Sequence, residues 1–285
     1  MKRALTLSLG VLALAGTVAT ANAADLPVLK APVAPKPFSW TGCYVGGNVG
    51  WARAEHDLTT LVPASSNMNA AAIATIQEAG LATISDNGWT GGGQIGCNWQ
   101  VQNVVFGVEA DANFLDLSAS RDTGNVISST AHVNRSLDSV TMNWLATIRG
   151  RVGYTTSFLI PNLLVYGTFG AAFTEIKATK DFRWDFTDGC PIVAGLQSCH
   201  IGGASFSEVG LVLGNGFELP LPFDTRWSLK GEYLWAHFPG DPNMNYTTFN
   251  RGTIFTPPVL PQPANHTIST NLHVARIGLN FRFWP

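Results

Sequence analysis

The sequence predicts an all-β fold in which eight antiparallel, up-and-down strands close into a transmembrane β-barrel. Apolar and polar residues alternate at every second position over eight segments, as expected for strands whose two faces meet different surroundings. The connections between these segments alternate between long and short, which is typical of an outer-membrane barrel. Lipid offers no hydrogen-bond partner to an open sheet edge, so we expect the sheet to close.

The clearest strand runs from Met142 to Tyr154. One face of it is apolar and comprises Met142, Trp144, Ala146, Ile148, Gly150, Val152 and Tyr154. The other face carries Arg149 and Arg151, which suits a wet or salt-bridged interior. By itself this stretch would fit an amphipathic strand of a soluble sandwich equally well, so the rest of the chain has to decide.

Seven further segments show the same two-residue period. They are Thr41–Arg53, Trp89–Val101, Val104–Phe114, Leu163–Thr174, Val209–Glu218, Trp227–Trp235 and a last strand that ends with Arg276–Phe283. Long connections at 55–87, 115–139, 176–204 and 238–266 alternate with short ones at 102–103, 155–162 and 219–224. Nothing in a soluble sandwich requires long and short connections to alternate. A barrel with an even number of strands places both termini and all short turns on the periplasmic side, which explains the alternation.

The N-terminus predicts export. Lys2 and Arg3 precede an apolar stretch, Leu5–Ala19, and the small residues Ala21 and Ala23 form a cleavage site. A membrane anchor is the alternative, but the apolar stretch is shorter than the roughly 20 residues that a spanning helix needs. We therefore expect a signal peptide at residues 1–23, a proline-rich periplasmic tether at 24–38 and the barrel domain at 39–285.

Charged residues on the inward faces predict a filled lumen. They are Glu109, Asp111, Glu218 and Glu232 together with Arg149, Arg151, Lys230, Arg276 and Arg282. An eight-stranded barrel is just wide enough for side chains to fill, so these near-balanced charges favour a salt-bridged core over an open pore.

The net charge of −2 and the lack of a basic run exclude a nucleic-acid partner. Outward tryptophans are expected to form the two interfacial girdles, namely Trp40, Trp51, Trp89, Trp99, Trp144, Trp227 and Trp235.

Four cysteines in an exported chain suggest disulfides. If the first two strands form a hairpin, Cys43 lies opposite Cys97 on the same face, within disulfide reach. Cys190 and Cys199 would then close a small loop in the third long connection. A pair of reduced, buried thiols is the alternative.

No catalytic, metal or cofactor site is predicted. The glycine-rich run Gly91–Gly96 is not followed by the Lys-Ser or Lys-Thr of a phosphate loop, and the six histidines lack metal-ligand spacing. Some eight-stranded barrels hydrolyse lipid A with a histidine and a serine two residues later, but His237 is followed by Pro239 at that position. Haem ligation by histidines such as His200 or His56 is the remaining alternative.

Four motifs resemble the small outer-membrane β-barrel surface proteins of Gram-negative bacteria, the porin-like or opacity-like proteins. The motifs are Trp40–Asn48, Gly91–Gln100, Thr147–Tyr154 and Arg276–Phe283. The resemblance implies an eight-stranded barrel that is inserted by the barrel-assembly machinery and has a role in envelope integrity or adhesion. Because no catalytic site is predicted, we expect a non-enzymatic structural or surface protein of the outer membrane. We expect a monomer in contact with outer-membrane lipid and lipopolysaccharide. A small-solute porin, or a protein that binds haemin or a host surface through its loops, are the alternatives.

The resemblance also implies an insertion signal in the last strand. Relatives usually end on the aromatic residue of that strand, which assigns this role to Phe281 and Phe283. The chain departs from the pattern because Trp284 and Pro285 follow. Proline cannot donate to a strand ladder, so Trp284 is the alternative to Phe283 as the terminal aromatic residue.

Overall fold

The computed structural model describes residues 38–62, 73–74, 77–78, 80–124, 126–127, 133–156, 160–184, 198–240, 246–250 and 264–284. The predicted signal peptide and almost all of the predicted tether lie outside these ranges, as does Cys190, so the predictions made for them stay predictions. Within the described part, no helix has both the length and the apolar character needed to cross a membrane.

Ten strands form one antiparallel sheet in the described part of the chain. They are β1 (Gly42–Leu61), β2 (Ala82–Val101), β3 (Val104–Asp122), β4 (Val126–Ile127), β5 (Val133–Thr156), β6 (Leu163–Trp184), β7 (Ser198–Leu221), β8 (Asp224–Phe238), β9 (Tyr246–Asn250) and β10 (Ala264–Trp284). The eight long strands pair in chain order, and β1 pairs with β10 along almost its whole length, which closes the ring. The all-β, up-and-down fold with eight strands in a ring is therefore confirmed.

The outer face of the ring changes character part of the way along each strand. Near the short turns the outward side chains are apolar and exposed, in a band bounded on the long-loop side by an aromatic ring of Trp51, Trp89, Phe114, Trp144, Phe173 and Trp235. Beyond this ring the outward residues become polar, beginning with Arg53 and Glu55 on β1. About ten tilted residues per strand lie in the apolar band, which matches the ~25 Å apolar height of an outer-membrane barrel.

The strands are longer than the sequence pattern predicted because they continue past the aromatic ring. We call this continuation the collar, comprising residues 53–61, 82–88, 115–122, 133–143, 174–184, 198–208 and 264–274. Strand β8 ends at Phe238, and beyond it β9 pairs with both β7 and β10. Strand β9 therefore completes the barrel wall between β7 and β10, beyond the end of β8.

Two of the residues predicted to face outward are buried instead, so these two predictions were wrong. Met142 is fully buried, because the register of β5 shifts between Met142 and Leu145 and turns both Asn143 and Trp144 outward. Trp40 is also fully buried, since it precedes β1 and is not bound by the alternation of the strand. Gly42, at φ 139°, turns the chain between Trp40 and the strand, a conformation that favours glycine.

Candidate functional site

The centre of the barrel holds four carboxylates and four cationic side chains. The members of this charge cluster are Glu109, Asp111, Glu218, Glu232, Arg149, Arg151, Lys230 and Arg276. They come from inward positions of β3, β5, β7, β8 and β10, and none is more than 6% exposed. The formal charge of the cluster is zero, as burial requires, because an uncompensated buried charge is very costly.

Arg149 lies at the middle of the cluster and contacts three acids. Its guanidinium donates to Glu109, to Asp111 at 2.7 Å and to Glu232 at 3.0 Å. Arg276 covers the other side of the same acids, at 3.0 Å from Asp111 and 2.6 Å from Glu232. The planar fork of arginine suits such shared contacts, because each N–H can reach a different carboxylate oxygen.

A tyrosine joins this part of the cluster to the remaining ion pair. Arg151 donates to Glu218 at 2.9 Å and to the hydroxyl of Tyr44 at 2.9 Å. That hydroxyl donates in turn to Glu109 at 2.6 Å. The guanidinium of Arg151 also lies 3.8 Å from the ring centre of Tyr166, a cation–π contact.

Amide side chains extend the network in a way that charge patterning did not predict. Asn48 donates to Gln94 at 2.7 Å, Gln94 donates to Asn280 at 2.8 Å, and Asn280 donates to Glu218 at 2.8 Å. All three amides are buried. Their inward positions in the two-residue alternation were the only signal in the sequence.

Arg282 differs from the prediction that grouped it with the other inward charges. It donates to the backbone carbonyls of Ser39 and Thr225 and stacks on the rings of Phe38, at 4.5 Å, and Trp40, at 5.1 Å. The structure therefore separates Arg282 from the charge cluster, which leaves the cluster electrically balanced.

The contacts of Arg282 belong to a cap at the short-turn end, which we define as Phe38, Ser39 and Trp40. The backbone N–H of Trp40 donates to Gln100 at 2.7 Å, and its indole N–H donates to the carbonyl of Asn162 at 3.2 Å. The indole packs with Val105, Leu164 and Tyr166 across the mouth of the barrel. The cap thus fills the lumen below the charge cluster.

An apolar layer fills the lumen on the long-loop side of the charges. It includes Leu115 and Leu117 of β3, Met142 and Leu145 of β5, Leu234 and Phe238 of β8 and Leu272 of β10. Along each of these strands the apolar residues lie on the long-loop side of the charged ones. The prediction of a polar lumen missed this layer. The sequence does contain a signal for it, because in and next to the collar the apolar residues Ala52, Ala54 and Leu58 face inward and the charged residues Arg53 and Glu55 face outward, the reverse of the pattern below the aromatic ring.

A disulfide joins Cys43 and Cys97, which lie directly opposite each other on β1 and β2. Cys199 lies in β7, but its side chain and Cys190 fall outside the described part, so their pairing stays a prediction.

Phe283 is 52% exposed on the outer face of the last strand, and Phe281 packs against Trp227 at 5.0 Å. The role of these two phenylalanines as an insertion signal also stays a prediction.

The structure describes the side chain of one of the two histidines considered for haem. His56 points into the collar, where its Nδ1 lies 2.8 Å from the hydroxyl of Thr270. The side chain of His200 is outside the described residues. His237 points outward and its Nδ1 lies 2.9 Å from Asn271. Among the residues that the structure describes, no three His, Cys, Asp or Glu side chains are grouped so that they would hold a metal ion.

Comparison with known proteins supports the same architecture. The family described as "Outer membrane protein beta-barrel domain" matches residues 10–253. The 31 kDa outer-membrane immunogenic protein of Brucella melitensis is 28% identical over 272 residues, which cover 93% of this chain and 94% of that protein. The 22 kDa outer membrane protein of Rhizobium leguminosarum is 34% identical over 92 residues, or 32% of this chain and 35% of that protein.

Similarity to solved structures is weak. Neisserial surface protein A is 13% identical with a TM-score of 0.31, and the alignment covers 85% of this chain and 98% of that one. The attachment invasion locus protein of Yersinia pestis is 9% identical with a TM-score of 0.29, over 82% and 99% of the two chains. Scores this low carry no argument, so the fold assignment rests on the strand pairing and on the family match.

Proposed function

Because the chain belongs to the outer membrane protein β-barrel domain family and lies in the outer membrane, we propose that it is a non-enzymatic structural protein of the cell envelope whose barrel is sealed. The observation that carries the proposal is the filled lumen. Three stacked layers occupy it, namely the cap, the charge cluster and the apolar layer.

Each layer opposes the passage of solutes for a different reason. The charges of the cluster are neutralised by one another, so a passing ion would have to break buried pairs such as Arg149–Asp111. The apolar layer lines the lumen with aliphatic and aromatic side chains that do not solvate an ion and would resist wetting. The cap covers the short-turn mouth with packed aromatic rings. A small-solute porin would need a continuous polar path, and the layered interior argues against one.

Reconstitution tests the sealed barrel. Purified protein would first be shown to be folded by the different gel mobilities of unboiled and boiled samples, and then added to planar lipid bilayers. We expect no stable single-protein conductance. A reproducible conductance step from the folded protein would refute the proposal.

A second experiment separates the envelope role from the alternative in which the loops bind haemin or a host surface. A deletion strain would be complemented with the full chain or with a variant in which residues 185–197 and 251–263 are each replaced by a short linker. We expect both to restore resistance of the outer membrane to detergent. Restoration by the full chain alone would favour a function carried by the loops.

A further inference from the structure

The outer wall of the collar carries a depression of about 640 Å³ on β3, β5, β6 and β7. Its exposed or half-buried lining residues are Ser120, Arg121, Asp122, Leu137, Ser139, Thr179, Asp181, Gly202 and Gly203. Their inward neighbours Asp138 and Lys180 are almost fully buried and form an ion pair of their own at 2.9 Å. The volume lies within the range of small-molecule sites, roughly 300–1,000 Å³.

Strand register arranges these side chains in rows across the wall. Ser120 is paired with Ser139, Ser139 with Thr179, and Thr179 with Gly203. The next row toward the long loops is Asp122, Leu137 and Asp181. Directly opposed residues have Cβ atoms ~5 Å apart, so three side chains that carry a hydroxyl lie side by side, next to an aliphatic side chain and two carboxylates.

The charges on this face are neutralised locally. Arg135 donates to both oxygens of Asp122, at 3.0 and 2.6 Å, and these hydrogen bonds lower the pKa of Asp122 to about 2. Arg183 pairs with Asp181 at 2.6 Å in the same way. One row nearer the aromatic ring, a hydrogen bond from Ser205 lowers the pKa of Glu175, and the nearby ammonium group of Lys177 lowers it further. The face therefore offers many hydrogen-bonding groups and little net charge.

The height of the depression above the aromatic ring indicates which part of the surrounding lipids it contacts. Ser120 lies six residues beyond Phe114 of the aromatic ring, which is ~15 Å along the barrel axis for a strand tilted by about 40°. The depression faces sideways from the wall, toward the molecules that surround the barrel. At this height they are the parts of outer-leaflet lipids that project beyond the hydrocarbon and its boundary.

We propose that this depression binds the saccharide portion of the outer-leaflet glycolipid. Sugars present vicinal hydroxyls on one side and C–H groups on the other, and the depression matches these with hydroxyl and carboxylate groups beside the aliphatic Leu137. Arg135 and Arg183 are already paired with acids here, so a phosphate would have to compete with these carboxylates. Arg121 also lines the depression, and titration with inorganic phosphate measures its contribution. The inference rests on residence in the outer membrane and does not depend on the barrel being sealed.

Binding would be tested on the folded barrel in detergent micelles. The probe is the delipidated core oligosaccharide released from the outer membrane of the same strain, and the readout is the NMR resonance of the Leu137 methyl groups, assigned with a Leu137→Met variant. We expect a saturable shift of these resonances. Inorganic phosphate at equal concentration should leave them unmoved.

A pair of matched variants locates the site. Ser139→Ala with Thr179→Val removes two hydroxyls from the depression, and should raise the Kd for the oligosaccharide about tenfold, as expected for the loss of one or two hydrogen bonds. Ser269→Ala with Thr267→Val removes the same groups from the collar on β10, and should leave the Kd unchanged within about twofold.

Three results would overturn the inference. They are an absence of any saturable shift with oligosaccharide, an equal shift with phosphate alone, and equal weakening in the two variant pairs. A conductance step in planar bilayers would refute the sealed barrel without touching the Leu137 result. The failures of the two proposals are therefore distinguishable.

Discussion

Replacement of Arg149 by methionine should destabilise the barrel strongly. The substitution keeps the aliphatic bulk but removes hydrogen bonds to Glu109, Asp111 and Glu232. Each acid retains at least one cation, since Lys230 lies 2.6 Å from Glu109 and Arg276 contacts the other two. The cluster nevertheless acquires a net charge of −1 in a fully buried place, which costs roughly 3–5 kcal/mol.

Urea unfolding of the protein folded into phospholipid vesicles measures this cost. The matched control is Arg53→Met on the collar surface. Arg53 pairs with Glu55 at 2.9 Å, but the two side chains are 57% and 39% exposed. Water and salt screen such a pair, so the same chemical change should cost less than about 1 kcal/mol there.

A compensating substitution tests whether charge balance is the cause. Glu109→Gln alone leaves one cation in excess and should also be costly. Combined with Arg149→Met it restores a neutral cluster, so the double variant should be more stable than the sum of the two losses predicts, by roughly 2 kcal/mol or more. Additive losses, or a cost for Arg149→Met no larger than that of Arg53→Met, would refute the electrostatic reasoning.

Three further outcomes are expected. Cys43→Ser with Cys97→Ser should lower the free energy of unfolding by about 2–4 kcal/mol because the bond closes a loop with a sequence separation of 54, and dithiothreitol should reproduce the loss in the parent but not in the variant. Burial lowers the pKa of His56, in the collar, to about 4, so the unfolded chain binds the proton more readily. Stability should therefore fall as the pH drops from 6.5 toward 4, by roughly 2 kcal/mol at pH 5, and His56→Phe should remove this fall. Arg282→Met should loosen the cap, so that chymotrypsin cleaves the folded barrel after Trp40 about tenfold faster, whereas Arg226→Met, whose side chain is exposed, should not change the rate.

The central part of each strand could be predicted because its environment imposes one simple rule. Where lipid lies on one side and a packed lumen on the other, every second residue must be apolar, and this fixes the face of Glu109, Arg149 and Arg276 without any knowledge of their partners. The same rule places Cys43 opposite Cys97 once the first hairpin is assumed.

The rule fails where one of the two environments changes. Beyond the aromatic ring the outer face meets polar surroundings while the inner face becomes apolar, so the pattern of segments such as 55–61 predicted a loop although they continue the strand. A register shift moved Met142 inward, and Trp40 lies before the strand and follows no alternation. Side-chain burial in the assembled barrel decides these positions.

The sequence by itself determined the number of strands, their order and the inward face of the charged residues, because two-residue periodicity and loop rhythm are local properties of the chain. Only the tertiary structure decided which charges pair, that Arg282 belongs to the cap, and that an apolar layer lies on the long-loop side of the cluster. These features depend on distances between side chains that are far apart in sequence, such as Arg149 and Glu232, and closure of the ring sets those distances.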